Sequence, residues 1–322
     1  MTAGIGFLAG GWQLAMRSKS PYGPYEWKRV LERGKTTMNG PHQGGWIHTK
    51  YGEDWFIHFQ DKGPYGRVCH LQPVDWSSGW PVMGNAGEPY WKFRKPKSDS
   101  KTIVNPVETD EFDSSKLGMQ WQWQNDYKES YGQATSMGFF RLFTYALPEL
   151  GDVSNLWYVP NMLLQKTPAD EFTATTKLSF CSRNSDQYVG LVCMSAEYSS
   201  VGMQRTEDGY ELQIRHNPNA MRTHLTDEVL TVDTLKPTQK GTPRKGRPAE
   251  MHIKDVYLRM SIKDSKVNYA YSIDGKKWKK AGGEYAMGKG RWIGSKIGFF
   301  AVDPNKTGRK GFIDIDWFRI SR

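Results

Sequence analysis

Seven polar side chains stand inside short apolar runs: His42, His48, His58, Gln60, Arg67, His70 and Gln72. They belong to Asn39-Gly-Pro-His-Gln-Gly-Gly-Trp46, Trp55-Phe-Ile-His-Phe-Gln-Asp61 and Tyr65-Gly-Arg-Val-Cys-His-Leu-Gln-Pro-Val-Asp-Trp76. An imidazole can ligate a metal or carry a proton near neutral pH. A guanidinium can give two parallel hydrogen bonds to adjacent hydroxyls or to a carboxylate. Burying such groups is costly unless they are paired, so the stretch predicts a wet, polar cavity lined by strands. His48, His58 and His70 are compatible with a ligand cluster or with the ordinary polar face of a meander. Glu53 and Asp54 sit in a turn, where acids are the norm. No acid/base pair is read into them or into Asp61.

The elements that would hold these groups are strands. Over residues 1–84 the apolar runs are Ile5–Ala9, Trp12–Ser18, Tyr25–Leu31, Gly44–Thr49, Trp55–Gln60 and Gly66–Leu71, separated by turns such as Pro21-Tyr-Gly-Pro24 and Tyr51-Gly-Glu-Asp54. Residues 85–106 shift to Pro, Lys and Ser with little apolar periodicity, the signature of a linker. Strand patterning resumes over residues 107–322. Its runs include Leu178–Cys181, Tyr188–Met194, Tyr210–Ile214, Tyr257–Ile262, Asn268–Ser272, Ile297–Val302 and Phe312–Ile320. A short helical turn is expected near Asp227–Leu230, and Lys236–Glu250 reads as an insertion loop. The fold class predicted is all-β, with a sandwich or barrel as the larger body.

Composition narrows the function classes. The 322 residues carry a formal charge of +10, with 13 Trp, 16 Tyr and 14 Phe. Flat aromatic faces suit both β packing and sugar stacking. Much of the positive charge lies in the loop-like runs Lys92–Lys101 and Lys236–Arg247, which lack stacking aromatics; solvated loops, not a nucleic-acid site, are expected. Cys69, Cys181 and Cys193 have no metal-type spacing and read as buried free thiols, a Cys181–Cys193 bridge being the other option. The apolar start, Met1–Met16, has no basic residue before its apolar run and is broken by glycines, so it fits a strand pair better than a signal peptide. No segment approaches the length of a membrane span.

Two sets of motifs carry a family resemblance over nearly the whole chain. Gly10-Gly-Trp-Gln13, Arg17-Ser-Lys-Ser-Pro-Tyr-Gly-Pro-Tyr25, Asn39-Gly-Pro-His-Gln43, Trp55-Phe-Ile-His-Phe-Gln-Asp61, Tyr65-Gly-Arg67 and Trp80-Pro-Val-Met-Gly84 resemble the last part of the catalytic propeller of family 43 glycoside hydrolases. The type is that of the β-xylosidases and α-L-arabinofuranosidases. Asp110-Glu-Phe-Asp113, Leu117-Gly-Met-Gln-Trp-Gln-Trp123, Tyr271-Ser-Ile-Asp-Gly-Lys276, Ile297-Gly-Phe-Phe300 and Asp314-Ile-Asp-Trp-Phe318 resemble the concanavalin A-like jelly-roll sandwich that follows it. The resemblance thus implies an incomplete β-propeller over 1–84, a linker over 85–106 and a sandwich over 107–322.

It also implies a chemistry. Family members cleave O-glycosyl bonds of xylan and arabinoxylan oligosaccharides by inversion, with an acid and a base carboxyl about 6.5–9.5 Å apart. Those carboxylates lie in the first three of five blades, the acid usually within Glu-Gly-Pro. No Glu-Gly-Pro occurs here. At ~40–50 residues per blade, residues 1–84 amount to less than two blades. The expectation is a chain inactive by itself, whose partner is the missing N-terminal blades; export of the intact enzyme from the cytoplasm is expected. The resemblance assigns His42 to the propeller axis, near a central ion or water, and Arg67 to the sugar. Gln43 and Gln13 become candidate cleft donors. No cofactor is required, although Asp113 and Asp314, together with Asp110 and Asp316, could hold a structural Ca²⁺ if the ends of the sandwich pair. Trp121, Trp123 and Trp157 are a sugar platform or, more simply, core. The alternative function is a non-catalytic carbohydrate-binding or structural sandwich.

Overall fold

The computed structural model describes residues 2–5, 10–102, 104–146, 155–222, 226–244, 246–290, 292–305 and 308–322. Within these, helix is limited to the 3-10 turns Gly63–Tyr65, Glu129–Tyr131 and Leu156–Tyr158; everything else regular is strand. Among the described residues no helix is long and apolar enough to cross a membrane. The chain forms two compact units, Met1–Val104 and Asn105–Arg322.

The first unit holds two antiparallel meanders. Three strands, Thr2–Ile5, Trp12–Arg17 and Glu26–Leu31, form one sheet. The strands Gly45–His48, Asp54–Asp61, Arg67–Asp75 and Val82–Met83 pair in chain order to form the other. Residues 6–9 of the expected first strand lie outside the described residues. Ala15, Val30, Leu31, Phe56 and Met83 make a small core, with Val74 and Trp80 packed against it. The expected linker departs from the sequence reading, because its aromatics and charges fasten it to this unit. Tyr90 exchanges hydrogen bonds with Gln72, Trp91 meets His70 edge-on, Phe93 packs on Trp55, and Arg94 pairs with Glu53. The break between units therefore falls at Val104/Asn105.

Four of the mid-strand polar residues, His58, Gln60, His70 and Gln72, occupy one face of the central hairpin. His58 lies directly opposite His70, and Phe56 opposite Gln72. Gln72 donates to His58 Nε2 at 3.3 Å, which makes that nitrogen the acceptor, while Nδ1 donates to the Phe59 carbonyl at 3.1 Å. Gln60 accepts from His70 Nε2 at 3.1 Å and donates to the Thr37 carbonyl at 3.0 Å. The burial cost is thus met by side chain pairing with side chain and backbone, and not by a wet cavity. His48, on the edge strand, instead bonds Asp54 at 2.8 Å. The three histidines form no ligand cluster among the described residues.

The second unit is a sandwich of two eight-stranded sheets. One has the path Lys279–Ala286, Lys266–Ser272, Met251–Lys263, Phe172–Ser182, Phe312–Ser321, Phe140–Phe143 and Gly132–Ala134, with Gln239–Lys240 beside Met251–Lys263. The other runs Glu228–Leu235, Tyr210–Asn217, Tyr198–Arg205, Tyr188–Met194, Lys296–Asp303, Leu163–Lys166 and Gln122–Trp123, with Tyr145–Ala146 beside Lys296–Asp303. Every residue of Tyr188–Met194 and Lys296–Asp303 is buried, so these central strands are covered on both faces. Leu156, Val159, Met162 and Ala220 belong to the apolar cluster that packs with them. Trp121 is a core residue packed on Phe112, Phe299 and Phe318, and the part-buried Trp123 packs on Tyr131 and Phe140. The turn expected at Asp227–Leu230 is instead the start of the strand Glu228–Leu235, whose backbone pairs with Tyr210–Asn217. All three cysteines are free; Cys181 and Cys193 are buried, whereas Cys69 is exposed, contrary to expectation.

Two outcomes follow from this packing. Burial pushes the His58 imidazole down to about 4, with the neighbouring His70 adding in the same direction. Above the unfolded value of about 6.5 the ring is neutral in both states. Below it the unfolded chain takes up a proton that the folded ring refuses, so stability falls as pH drops from about 6.5 towards 4, by about 2–3 kcal/mol. Urea unfolding at stepped pH should show this loss, and His58→Gln should flatten it; equal pH dependence in both proteins would refute the assignment. Phe299, fully buried between Trp121 and Phe318, leaves a cavity when truncated. Phe299→Ala should lower the unfolding free energy by about 3–5 kcal/mol in chemical denaturation, and a loss below about 1 kcal/mol would contradict its place in the core.

Candidate functional site

The face of the central hairpin opposite the paired histidines carries Phe59 and Arg67. Asp61 pairs with Arg67 across the hairpin and Phe59 with Cys69, so Phe59 and Arg67 are diagonal neighbours on one face. The Arg67 guanidinium carbon lies 4.1 Å from the centre of the Phe59 ring. A cation over an aromatic face is held there by the ring quadrupole.

His42 reaches the same ring from the loop before the sheet. Asn39 secures that loop, donating to the Asp61 carbonyl and accepting from the Asp61 N–H, both at 2.9 Å. Gly40, at φ 52, turns the chain so that its carbonyl accepts the His42 N–H at 2.8 Å and His42 Nδ1 at 2.7 Å. Nδ1 therefore carries a proton, and in the neutral ring the acceptor is Nε2. The imidazole is 3% exposed and its centroid is 5.2 Å from that of Phe59. Gly11 allows this placement: a Cβ there would come within 2.3 Å of His42 Nδ1. One aromatic ring thus brings together the two groups singled out in the sequence, a buried acceptor and a fork of donors. That combination suits a ligand rich in hydroxyls.

The other candidates fare differently. Gln13 is 2% exposed and its amide donates to the Leu14 carbonyl at 3.1 Å, which makes it part of its own strand and not a rim donor. Gln43 is exposed in the left-handed region, φ 53. The acids Glu53, Asp54 and Asp61 serve the hairpin: Glu53 accepts from Trp55, Arg94 and the Lys97 N–H, Asp54 from Trp46, and Asp61 from the Gly63 N–H.

The two ends of the sandwich do pair, through reciprocal hydrogen bonds between Asp110 and Phe318. They do not assemble the calcium ligands expected there. Asp314 gives its oxygens to Arg141 at 2.7 and 2.8 Å, and Asp110 accepts from Trp121 at 2.7 Å and from the Phe112 N–H at 2.9 Å. Asp316 pairs with Lys177 at 2.9 Å, and Asp113 is exposed. His42, Asp113 and Asp314 join no group of three candidate ligands among the described residues. A single imidazole does not amount to a cation site.

Two groups were missed in the sequence. Phe59 could have been found by counting register across the Asp61–Arg67 hairpin. The second group is Cys181, Glu250 and His252, whose ligand atoms lie within 4.8 Å of one another. Only the Glu-x-His spacing hinted at it.

Known proteins with this arrangement place the chain. Residues 109–321 match the family model described as the β-xylosidase C-terminal concanavalin A-like domain, and residues 6–81 match that of glycosyl hydrolases family 43. A putative β-xylosidase of Xylanibacter ruminicola is 32% identical over 91% of this chain and 51% of its own length. A β-xylosidase of Formosa agariphila is 29% identical over 95% and 52% respectively. The chain therefore spans about half the length of these curated relatives. Among solved structures, the family 43 protein BlXynB of Bacillus licheniformis superposes with a TM-score of 0.79 at 23% identity, over 99% of this chain and 62% of that one. With its larger unit matched almost end to end and its smaller one matched over the propeller segment, this chain belongs to glycoside hydrolase family 43, in the group that carries the β-xylosidase C-terminal domain.

Proposed function

We propose that the chain serves the hydrolysis of O-glycosyl bonds in xylose- or arabinose-containing hemicellulose, with inversion at the sugar carbon. The observation that carries the reading is the seating of His42 and Arg67 on Phe59. In this reading Arg67 donates to adjacent sugar hydroxyls and His42 Nε2 accepts from another hydroxyl or an ordered water. Proton transfer needs a carboxylic acid and a carboxylate on opposite faces of the sugar. The acids nearest these residues in sequence, Glu53, Asp54 and Asp61, are occupied in the hairpin. Positioning and binding, not proton transfer, is thus the part assigned to these 322 residues.

The purified chain should then give no turnover of nitrophenyl β-xyloside or α-L-arabinofuranoside, and turnover above the buffer rate would overturn that division of labour. Xylobiose or arabinose should still perturb the His42 ring signals in NMR. Arg67→Gln should weaken that response by about 10–100-fold, the range for losing a hydrogen bond from a charged donor. An unchanged titration in Arg67→Gln would remove Arg67 from the sugar site. Gly11→Ala should displace the His42 ring, shifting its signals before any sugar is added; wild-type ring signals in that variant would contradict the close approach.

A further inference from the structure

On the outer face of one sandwich sheet, three side chains of metal-binding type converge from two parts of the chain. Cys181, near the end of the Phe172–Ser182 strand, is the register partner of His252 on Met251–Lys263. Glu250 stands two residues before His252, and side chains at that spacing leave an extended chain on the same side. The Cys181 sulfur is 3.6 Å from His252 Nε2, which is 2.9 Å from Glu250 Oε1. The other Glu250 oxygen accepts from Arg183 Nε at 2.7 Å, which fixes the carboxylate's orientation. Cys181 is buried, but His252 and Glu250 remain part-exposed, with side-chain accessibilities of 29% and 39%. Cys181 and His252 both line a hollow of about 300 Å³.

Bonds of about 2.0–2.3 Å from zinc to nitrogen, oxygen and sulfur set tetrahedral ligand–ligand separations at about 3.3–3.8 Å. The sulfur–nitrogen separation of 3.6 Å already lies in that range, the nitrogen–oxygen contact of 2.9 Å has to open slightly, and the sulfur and carboxylate start within 4.8 Å of each other. One thiolate, one imidazole and one carboxylate suit zinc, whereas calcium and magnesium favour all-oxygen ligands.

We propose that Cys181, Glu250 and His252 form a zinc-binding site, with a water from the adjoining hollow as the fourth ligand. Binding releases the thiol proton to solvent and displaces the proton that His252 Nε2 gives to Glu250, which passes through solvent to Nδ1; sulfur–metal and nitrogen–metal bonds form in their place, with no change of oxidation state. The ion would clip the Phe172–Ser182 strand to the end of the Lys236–Glu250 segment.

The test is a cobalt(II) titration of the full chain after treatment with a chelator. One equivalent should bind, giving a thiolate-to-cobalt charge-transfer band and the visible bands of a tetrahedral ion, both abolished by zinc. Cys181→Ser should remove the charge-transfer band. His252→Gln, which retains the thiol and its packing, should weaken cobalt binding by about tenfold or more. Cys69→Ser, a control for the exposed thiol, should change neither. No thiolate band at saturating cobalt, a band that survives Cys181→Ser, or unaltered affinity in His252→Gln would each overturn the proposal.

Discussion

The pairing of His58, Gln60, His70 and Gln72 inside one hairpin is the constraint on which the smaller unit depends. A buried amide or imidazole left without a partner costs about 1–3 kcal/mol. Here Gln72 joins His58 to Tyr90, and Gln60 joins His70 to Thr37. Such a network tolerates only one register. A slip of one residue would send each of these groups to the opposite face and strand it there. Because the register is held, Phe59 and Arg67 emerge together on the other face and His42 finds a ring to pack against. Function on one face is thus secured by satisfied, uncharged polarity on its reverse.

The sandwich solves a different problem. Its central strands are apolar in both directions, and they require covering on both sides. The inner face packs aromatics such as Phe299 and Phe318. The other is closed by irregular chain, where Asn155 and Asn161 spend their amides on the backbone carbonyls of Ala220, Phe143 and Ala301. Acids that look like ligands in the sequence are instead bracing members. Arg141 grips Asp314, Lys177 bridges Asp255 and Asp316, and Asp110 caps the opening strand pair.

Much of this was legible in the sequence, and the failures have physical causes. Tyr188–Met194 reads directly as a strand, because a short, continuous apolar run of seven residues is too short for a buried helix. Glu228–Leu235 was mistaken at its start because its partner, Tyr210–Asn217, has to be known before the pairing can outweigh local preference. The polar residues of the hairpin were found, but their solvation was misjudged: partners such as Tyr90 and Thr37 come from segments whose own patterns carry no sign of the contact. His42 and Arg67 stood out by type, whereas Phe59, which unites them, looked like any core aromatic. Cys181 and His252 are 71 residues apart and meet only through strand register.

Nitrogen-15 NMR of the histidine rings from pH 8 to pH 5 tests the central claim most directly. If the buried polar groups satisfy one another, His58 shows a single neutral tautomer with the proton on Nδ1 and no titration across that range, because burial holds it down to about 4. A His58 ring that exchanges between tautomers, or that titrates near its ordinary value of about 6.5, would mean that water fills this face of the hairpin and that its register is held by something else.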